Sequence, residues 1–238
     1  MTETGVWLLV VGLVDLVRAA RDVTAPSRRV LMAVLGVALL AGAVIAWAPS
    51  VRVGLVDLAV WSGAFLCWLL GSAAALTHRS HRARVVAFSG WAVGLAWSLL
   101  AGGRLVADLP TQVEGPLGSV APERLLLVTG VMVAQLSTVN VLVRLVLDAV
   151  GVPAATNEKS LKGGRLLGPM ERLLIVGLGL AGHVTAASIV VAAKGLLRFP
   201  ELQRGSGEGG PSDVTEYFLI GSFASWLLAL GGVALCAW

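Results

Sequence analysis

Val30–Ala48 reads VLMAVLGVALLAGAVIAWA, nineteen residues without a charge. A helix needs about 20 mostly apolar residues to cross a bilayer core of about 30 Å, so this stretch reads as a spanning helix. Working outward from it, Val53–Leu76, Val85–Gly103, Leu125–Leu147, Leu173–Ala193 and Tyr217–Trp238 meet the same requirement. Gly5–Val17 is shorter and contains Asp15. It reads as a thin or tilted span, or as a helix lying in the interface. The expected fold is therefore all-α, a polytopic transmembrane helix bundle of six or seven spans.

Composition agrees. Of 238 residues, 57% are hydrophobic and only 13% are charged, and the mean hydropathy is +0.86. Soluble domains carry about 25% charged residues, so a water-soluble globule is excluded. The net charge of +4 invites a nucleic-acid partner, but the distribution of the basic residues argues against one. Eleven of the 18 Lys and Arg residues fall in three loops between apolar segments. Such residues stay on the cytoplasmic side during insertion and meet anionic lipid headgroups there. Cys67 and Cys236 are isolated in apolar stretches, with no spacing that suggests a disulfide framework or zinc. They read as buried thiols. No metal, cofactor or catalytic residue is expected.

The loops set an orientation. Arg18–Arg29, His78–Arg84 and Asn157–Arg172 form the basic set; Pro49–Arg52, Asp108–Glu123 and Glu201–Asp213 are sparser in Lys and Arg. The positive-inside rule puts the first set in the cytoplasm. The C-terminus is then cytoplasmic as well, in a multi-pass protein of the cytoplasmic (inner) membrane. Met1–Thr4 carries no basic leader, which favours an uncleaved first segment with its N-terminus outside. Three parts are expected: residues 1–150 with five spans, a basic cytoplasmic linker at 151–170, and a helix pair at 171–238. Pro169 suits the first turn of the helix that follows the linker.

Small residues recur at every fourth position in Gly90–Gly94–Ser98–Gly102, Gly63–Cys67–Gly71–Ala75 and Gly221–Ser225–Ala229. Faces of this kind allow close helix approach, within the chain or across a homo-oligomer seam. Trp47, Trp61 and Trp238 sit at segment ends, as interfacial anchors do; Trp68, Trp97 and Trp226 lie deeper and read as bundle filling. The hexapeptide VGLVDL occurs at Val11–Leu16 and at Val53–Leu58. Asp15 falls at the cytoplasmic end of its segment and Asp57 near the outer end of its own, so the match reads as coincidence.

Charges inside spans are the informative residues, because each costs several kcal/mol unless paired or hydrated. Asn140, Arg144 and Asp148 are spaced i, i+4, i+8 and form one stripe near the cytoplasmic face, with Gln135 and Ser137 nearby. Arg165, Glu171 and Arg172 open the next segment at similar depth, and Asp15 is a further candidate for the group. These residues read either as an anion or headgroup site or as an ion-pair lattice that pins the bundle. Near the outer face, Lys194 and Arg198 lie one turn apart, and Lys194 is expected to pair with Glu216 or to snorkel. His183 falls mid-segment, as a proton relay or as a neutral imidazole bonded to Asn140, Thr185 or a carbonyl. No zinc pair, nucleophile elbow or phosphate loop is present.

Three runs carry a resemblance: KSLKGGRLLGPMERLLI (Lys159–Ile175), AAKGLLRFPEL (Ala192–Leu202) and TEYFLIGSFASWLLAL (Thr215–Leu230). Together they resemble the C-terminal half of a bacterial integral-membrane family designated a domain of unknown function (DUF3307-type). Gly-Arg, Gly-x-x-Glu-Arg, Ala-Ala-Lys, Arg-Phe and Glu-Tyr-x-x-Ile-Gly elements occur in the same order. The resemblance covers about the last 80 residues. It implies a membrane protein and no activity, and it puts weight on Arg165, Glu171, Arg172, Lys194, Arg198 and Glu216.

Two functions are expected to compete. One is transport or handling of a small anionic solute or lipid headgroup among spans five to seven. The other is a non-catalytic membrane subunit or scaffold that packs with itself or with a partner membrane protein. A membrane-embedded enzyme ranks third.

Overall fold

The computed structural model describes residues 1–20, 26–47, 51–100, 113–115, 118–152, 164–205 and 213–237. The basic linker, the Asp108–Glu123 loop and the Glu201–Asp213 loop fall partly outside them. Nine helices are present among the described residues, with one short hairpin of strands. The chain divides into two compact units, Met1–Thr138 and Val139–Trp238.

The first unit contains α1 (Thr2–Ala20), α2 (Pro26–Trp47), α3 (Val51–His78), α4 (His81–Leu100) and α5 (Pro122–Leu136). Strands β1 (Val113–Gly115) and β2 (Gly118–Val120) pair antiparallel, Glu114 opposite Ser119. The doubtful first segment is a full nineteen-residue helix, and it lies against α2, α4 and α5. Trp7, Val11, Val14 and Asp15 are each no more than 1% exposed. Its opposite side is open, with Leu13 and Leu16 each 39% exposed.

Glycine makes the close contacts. A Cβ at Gly130 would lie 2.6 Å from the Gly5 carbonyl oxygen, and one at Gly12 would lie 3.0 Å from the Ala134 nitrogen, so α1 and α5 touch backbone to backbone. Gly71 and Gly90 do the same between α3 and α4, against Ala87 and against Ala64 and Trp68. Gly94 lies beneath the Trp7 indole. The Gly90–Gly94–Ser98 face is thus an internal seam, as membrane helices use small residues. Gly63, in contrast, meets nothing within 4 Å, and Cys67 is exposed. Trp61, expected at an interface, is fully buried.

Outward faces are as apolar as the inside. Ile45 is 83% and Leu100 is 85% exposed, and a soluble monomer rarely tolerates wide apolar patches. Among the described residues, four helices are long and apolar enough to cross a membrane: Ser27–Ala46, Val53–His78, His81–Leu100 and Thr215–Ala237. A fifth is reached if α5 and the following α6 (Thr138–Ala149) count as one span.

The second unit holds most of α6 with α7 (Gly164–Leu180), α8 (Val184–Gly205) and α9 (Asp213–Ala237). α6 ends at Ala149; Gly151 just beyond it takes φ +84°, which is open to glycine, and Val152 N–H donates back to Leu147 O at 3.0 Å. Pro169 lies inside α7, a correction to its expected place in the first turn.

The largest departure concerns Leu173–Ala193, expected as one straight span. The chain turns at Ala181–His183 instead. Gly182 takes φ +79°; its N–H donates to Gly179 O at 3.1 Å, and His183 N–H donates to Leu178 O at 2.8 Å. This paired bonding is the Schellman ending, which needs the left-handed residue that glycine supplies cheaply. α7 and α8 fold back on each other as a helical hairpin.

Candidate functional site

The hairpin brings together residues expected at opposite membrane faces. Lys194 Nζ lies 2.5 Å from Glu171 Oε2, and both are largely buried, at 14% and 9% side-chain exposure. The ammonium also stands 5.7 Å from the Phe218 ring centroid and 6.0 Å from that of Trp226, within range of cation–π attraction. Lys194 therefore does not snorkel, and its partner is Glu171. Glu216, the expected partner, is exposed on α9.

Arg172, the neighbour of Glu171, is 2% exposed. Its Nη1 donates to Ser225 Oγ at 3.0 Å and its Nη2 to Asn140 Oδ1 at 2.5 Å. One guanidinium thus ties α6, α7 and α9, a task suited to a planar fork of donors. Depth follows from Ser225, one residue from the midpoint of the apolar stretch Thr215–Ala237. Glu171, Arg172 and Lys194 are accordingly gathered near the middle of a candidate span.

Of the polar stripe on α6, Asn140 is the member that reaches Arg172; Arg144 and Asp148 are half-buried. His183, expected mid-segment, occupies the hairpin turn and is exposed. Arg165 and Arg198 lie in α7 and α8, and their side chains are outside what the structure describes.

A second polar cluster, in the first unit, was only glimpsed in the sequence. Asp15, 1% exposed, accepts a hydrogen bond from Trp68 Nε1 at 3.0 Å and meets Arg18 Nη2 at 3.4 Å. Arg18 Nη1 donates to Ser72 Oγ at 2.9 Å and to Leu69 O at 3.4 Å. Thr138, 1% exposed, lies close to the same carboxylate. Trp68 is within about 4 Å of the midpoint of Val53–His78, and Asp15 lies in the C-terminal part of α1. Asp57 likewise accepts the indole N–H of Trp97 at 3.0 Å. An indole satisfies a buried carboxylate without adding charge and is itself largely apolar.

The cluster adjoins a helix interruption. α5 stops at Leu136 because Ser137 takes over the backbone bonding: its N–H donates to Ala134 O at 3.3 Å. The Ser137 hydroxyl lies 2.7 Å from Gly12 O and 3.2 Å from Val133 O. A hydroxyl back-bonding to the carbonyl four residues earlier competes with the helix and bends it. The sequence signal was the run Gln135-Leu-Ser-Thr-Val-Asn140 inside an otherwise apolar segment.

No protein-family model, curated protein or solved structure matches this chain.

Proposed function

We propose that this chain is a multi-pass membrane protein that handles a small anionic solute or lipid headgroup at the α6–α9 network. The observation that carries the reading is the position of Glu171, Arg172 and Lys194, gathered level with Ser225 at the centre of an apolar stretch. Charges at that depth are expensive and mark solute or ion pathways in membrane proteins. Interrupted helices beside such charges are a feature of transporter binding sites. An incoming anion would take the place of the Glu171 carboxylate on Lys194, with Arg172 as the second cation.

The topology that goes with this reading has six crossings: α1, α2, α3, α4, α5 with α6, and α9. The α7–α8 hairpin enters and leaves on one side. With the basic loops at 78–84 and 157–172 in the cytoplasm, α9 then starts on the cytoplasmic side and ends outside. This reading puts the C-terminus outside, whereas a single crossing by Leu173–Ala193 would put it in the cytoplasm.

The test is thermal unfolding of the purified protein with added inorganic phosphate or phosphatidylglycerol. The reading expects stabilisation by one or both, lost in Lys194→Gln and in Arg172→Lys, with phosphatidylcholine inert. A second reading, a non-catalytic subunit or scaffold, is favoured by the complete pairing of Lys194 with Glu171 and of Arg172 with Asn140 and Ser225. It expects no anion-dependent stabilisation of any kind.

A further inference from the structure

We propose that Asp15 is a reversible proton-binding site in the interior of the first unit, where a bound proton releases Arg18 from the carboxylate. The inference rests on geometry in the α1–α3–α5 cluster and stands apart from the α6–α9 reading.

The two carboxylate oxygens differ. Oδ2 holds the Trp68 indole at 3.0 Å. Oδ1 meets Arg18 at 3.4 Å, an ion-pair contact without hydrogen-bond geometry, and it is buried with no hydrogen-bond partner. Thr138 Oγ1 is also buried without a hydrogen-bond partner, and it lies close to this carboxylate. A hydroxyl both donates and accepts. It can donate to an ionised Asp15 or accept the O–H of a neutral one, so a small movement of the two groups would give either protonation state a partner.

Arg18 has the matching freedom. Its shorter contact is with Ser72 Oγ at 2.9 Å, with Leu69 O at 3.4 Å. When Asp15 is neutral the guanidinium keeps both acceptors, and at 13% side-chain exposure it reaches toward the edge of the unit. A purely structural pair removed from water would be expected to close on its partner, because an open buried pair recovers little of its desolvation cost.

α3 faces Asp15 with Trp68 and Ser72, and the α5–α6 interruption faces it with Thr138. Glu3 on α1 and Asp57 on α3 lie twelve residues from Asp15 and eleven from Trp68 along their own helices, about 18 and 16 Å away. Arg28 and Arg29 of α2, and His81, Arg82 and Arg84 of α4, belong to the first turns of those helices.

The test is infrared difference spectroscopy of the full chain in lipid nanodiscs, cycled between about pH 3 and pH 9, the range that brackets ordinary side-chain carboxylic acids and histidine. The expected result is a protonated-carboxyl C=O band that disappears in Asp15→Asn. In Thr138→Val the band should persist at a displaced frequency, since the acid O–H has lost its acceptor. A wild-type spectrum that Asp15→Asn reproduces would mean Asp15 does not change protonation across this range, and the proposal fails. Should Asp15→Asn not fold, an undisplaced band or no band in Thr138→Val overturns it equally.

Discussion

Lys194 Nζ and Glu171 Oε2 are 2.5 Å apart although 23 residues separate them in the chain. A continuous helix would hold them about 34 Å apart, more than the thickness of a bilayer core. That single contact therefore requires a chain reversal inside an apolar stretch long enough to span, and it converts two interfacial charges into one buried pair.

The reversal has a topological consequence. In a background with Cys67 and Cys236 replaced, cysteines at His183 and Ala237 should react with an impermeant reagent from one side of the membrane. A cysteine at Glu216 should react from the other. If position 183 is inert from both sides while its neighbours in α9 label normally, residues 173–193 cross as one straight helix and the hairpin is wrong.

Energetics test the pair itself. Truncating one partner of a buried ion pair costs about 3–5 kcal/mol, whereas an exposed pair contributes about 0–1 kcal/mol. Glu171→Ala and Lys194→Ala should each lower thermal stability strongly, and the double mutant should lose much less than the sum. Additive losses in the double-mutant cycle would show that the two side chains do not interact.

The turn offers a cleaner handle, because nothing packs on it. Gly182 has φ +79° and open space around it, so a side chain there is strained but not crowded. Gly182→Ala should cost about 1–2 kcal/mol. Gly182→Asn should cost less, since asparagine tolerates the left-handed region. Equal losses for the two variants, measured by thermal unfolding, would point away from backbone strain.

The two small-residue faces should separate in the same assay. A Cβ at Gly90 would approach the Ala64 carbonyl oxygen to 2.6 Å, backbone that cannot yield, while Gly63 meets nothing. Gly90→Ala should lose about 1–3 kcal/mol. Gly63→Ala should be neutral, or gain up to about 1 kcal/mol from helix propensity. The reverse order would mean that α3 and α4 pack on other faces.

Much of this was legible in the residues. Val30–Ala48 and the three other candidate spans announce themselves by length and lack of charge. Glu171, Arg172, Lys194 and Asn140 stood out because lipid penalises them. What periodicity cannot carry is chain direction inside a uniformly apolar segment. Leu173–Ala193 has the length of one span, and the cue to its turn was Gly177, Gly179 and Gly182 within six residues, each unfavourable in a helix interior. The Asp15 cluster was obscured for a different reason. Its members come from α1, α3 and the α5–α6 interruption, and only the fold places Trp68 and Thr138 on one carboxylate.

The last expectation concerns Arg172, the residue that joins three helices. Its two terminal nitrogens reach Asn140 on α6 and Ser225 on α9 in different directions. A lysine ammonium is a point donor on a longer flexible stem, so Arg172→Lys keeps the charge near Glu171 and gives up one of the two bridges. The loss should be intermediate, about 1.5–3 kcal/mol for one charge-assisted bond. Arg172→Ala should be worse, because Asn140 and Ser225 lose their donor and Glu171 loses a neighbouring cation. Asn140→Ala alone should reproduce most of the Arg172→Lys loss if the lysine turns toward Ser225, and Ser225→Ala should do so if it turns toward Asn140. Thermal unfolding of the four variants decides between them. If Arg172→Lys matches wild type, the guanidinium fork is not what holds α6 and α9 to α7.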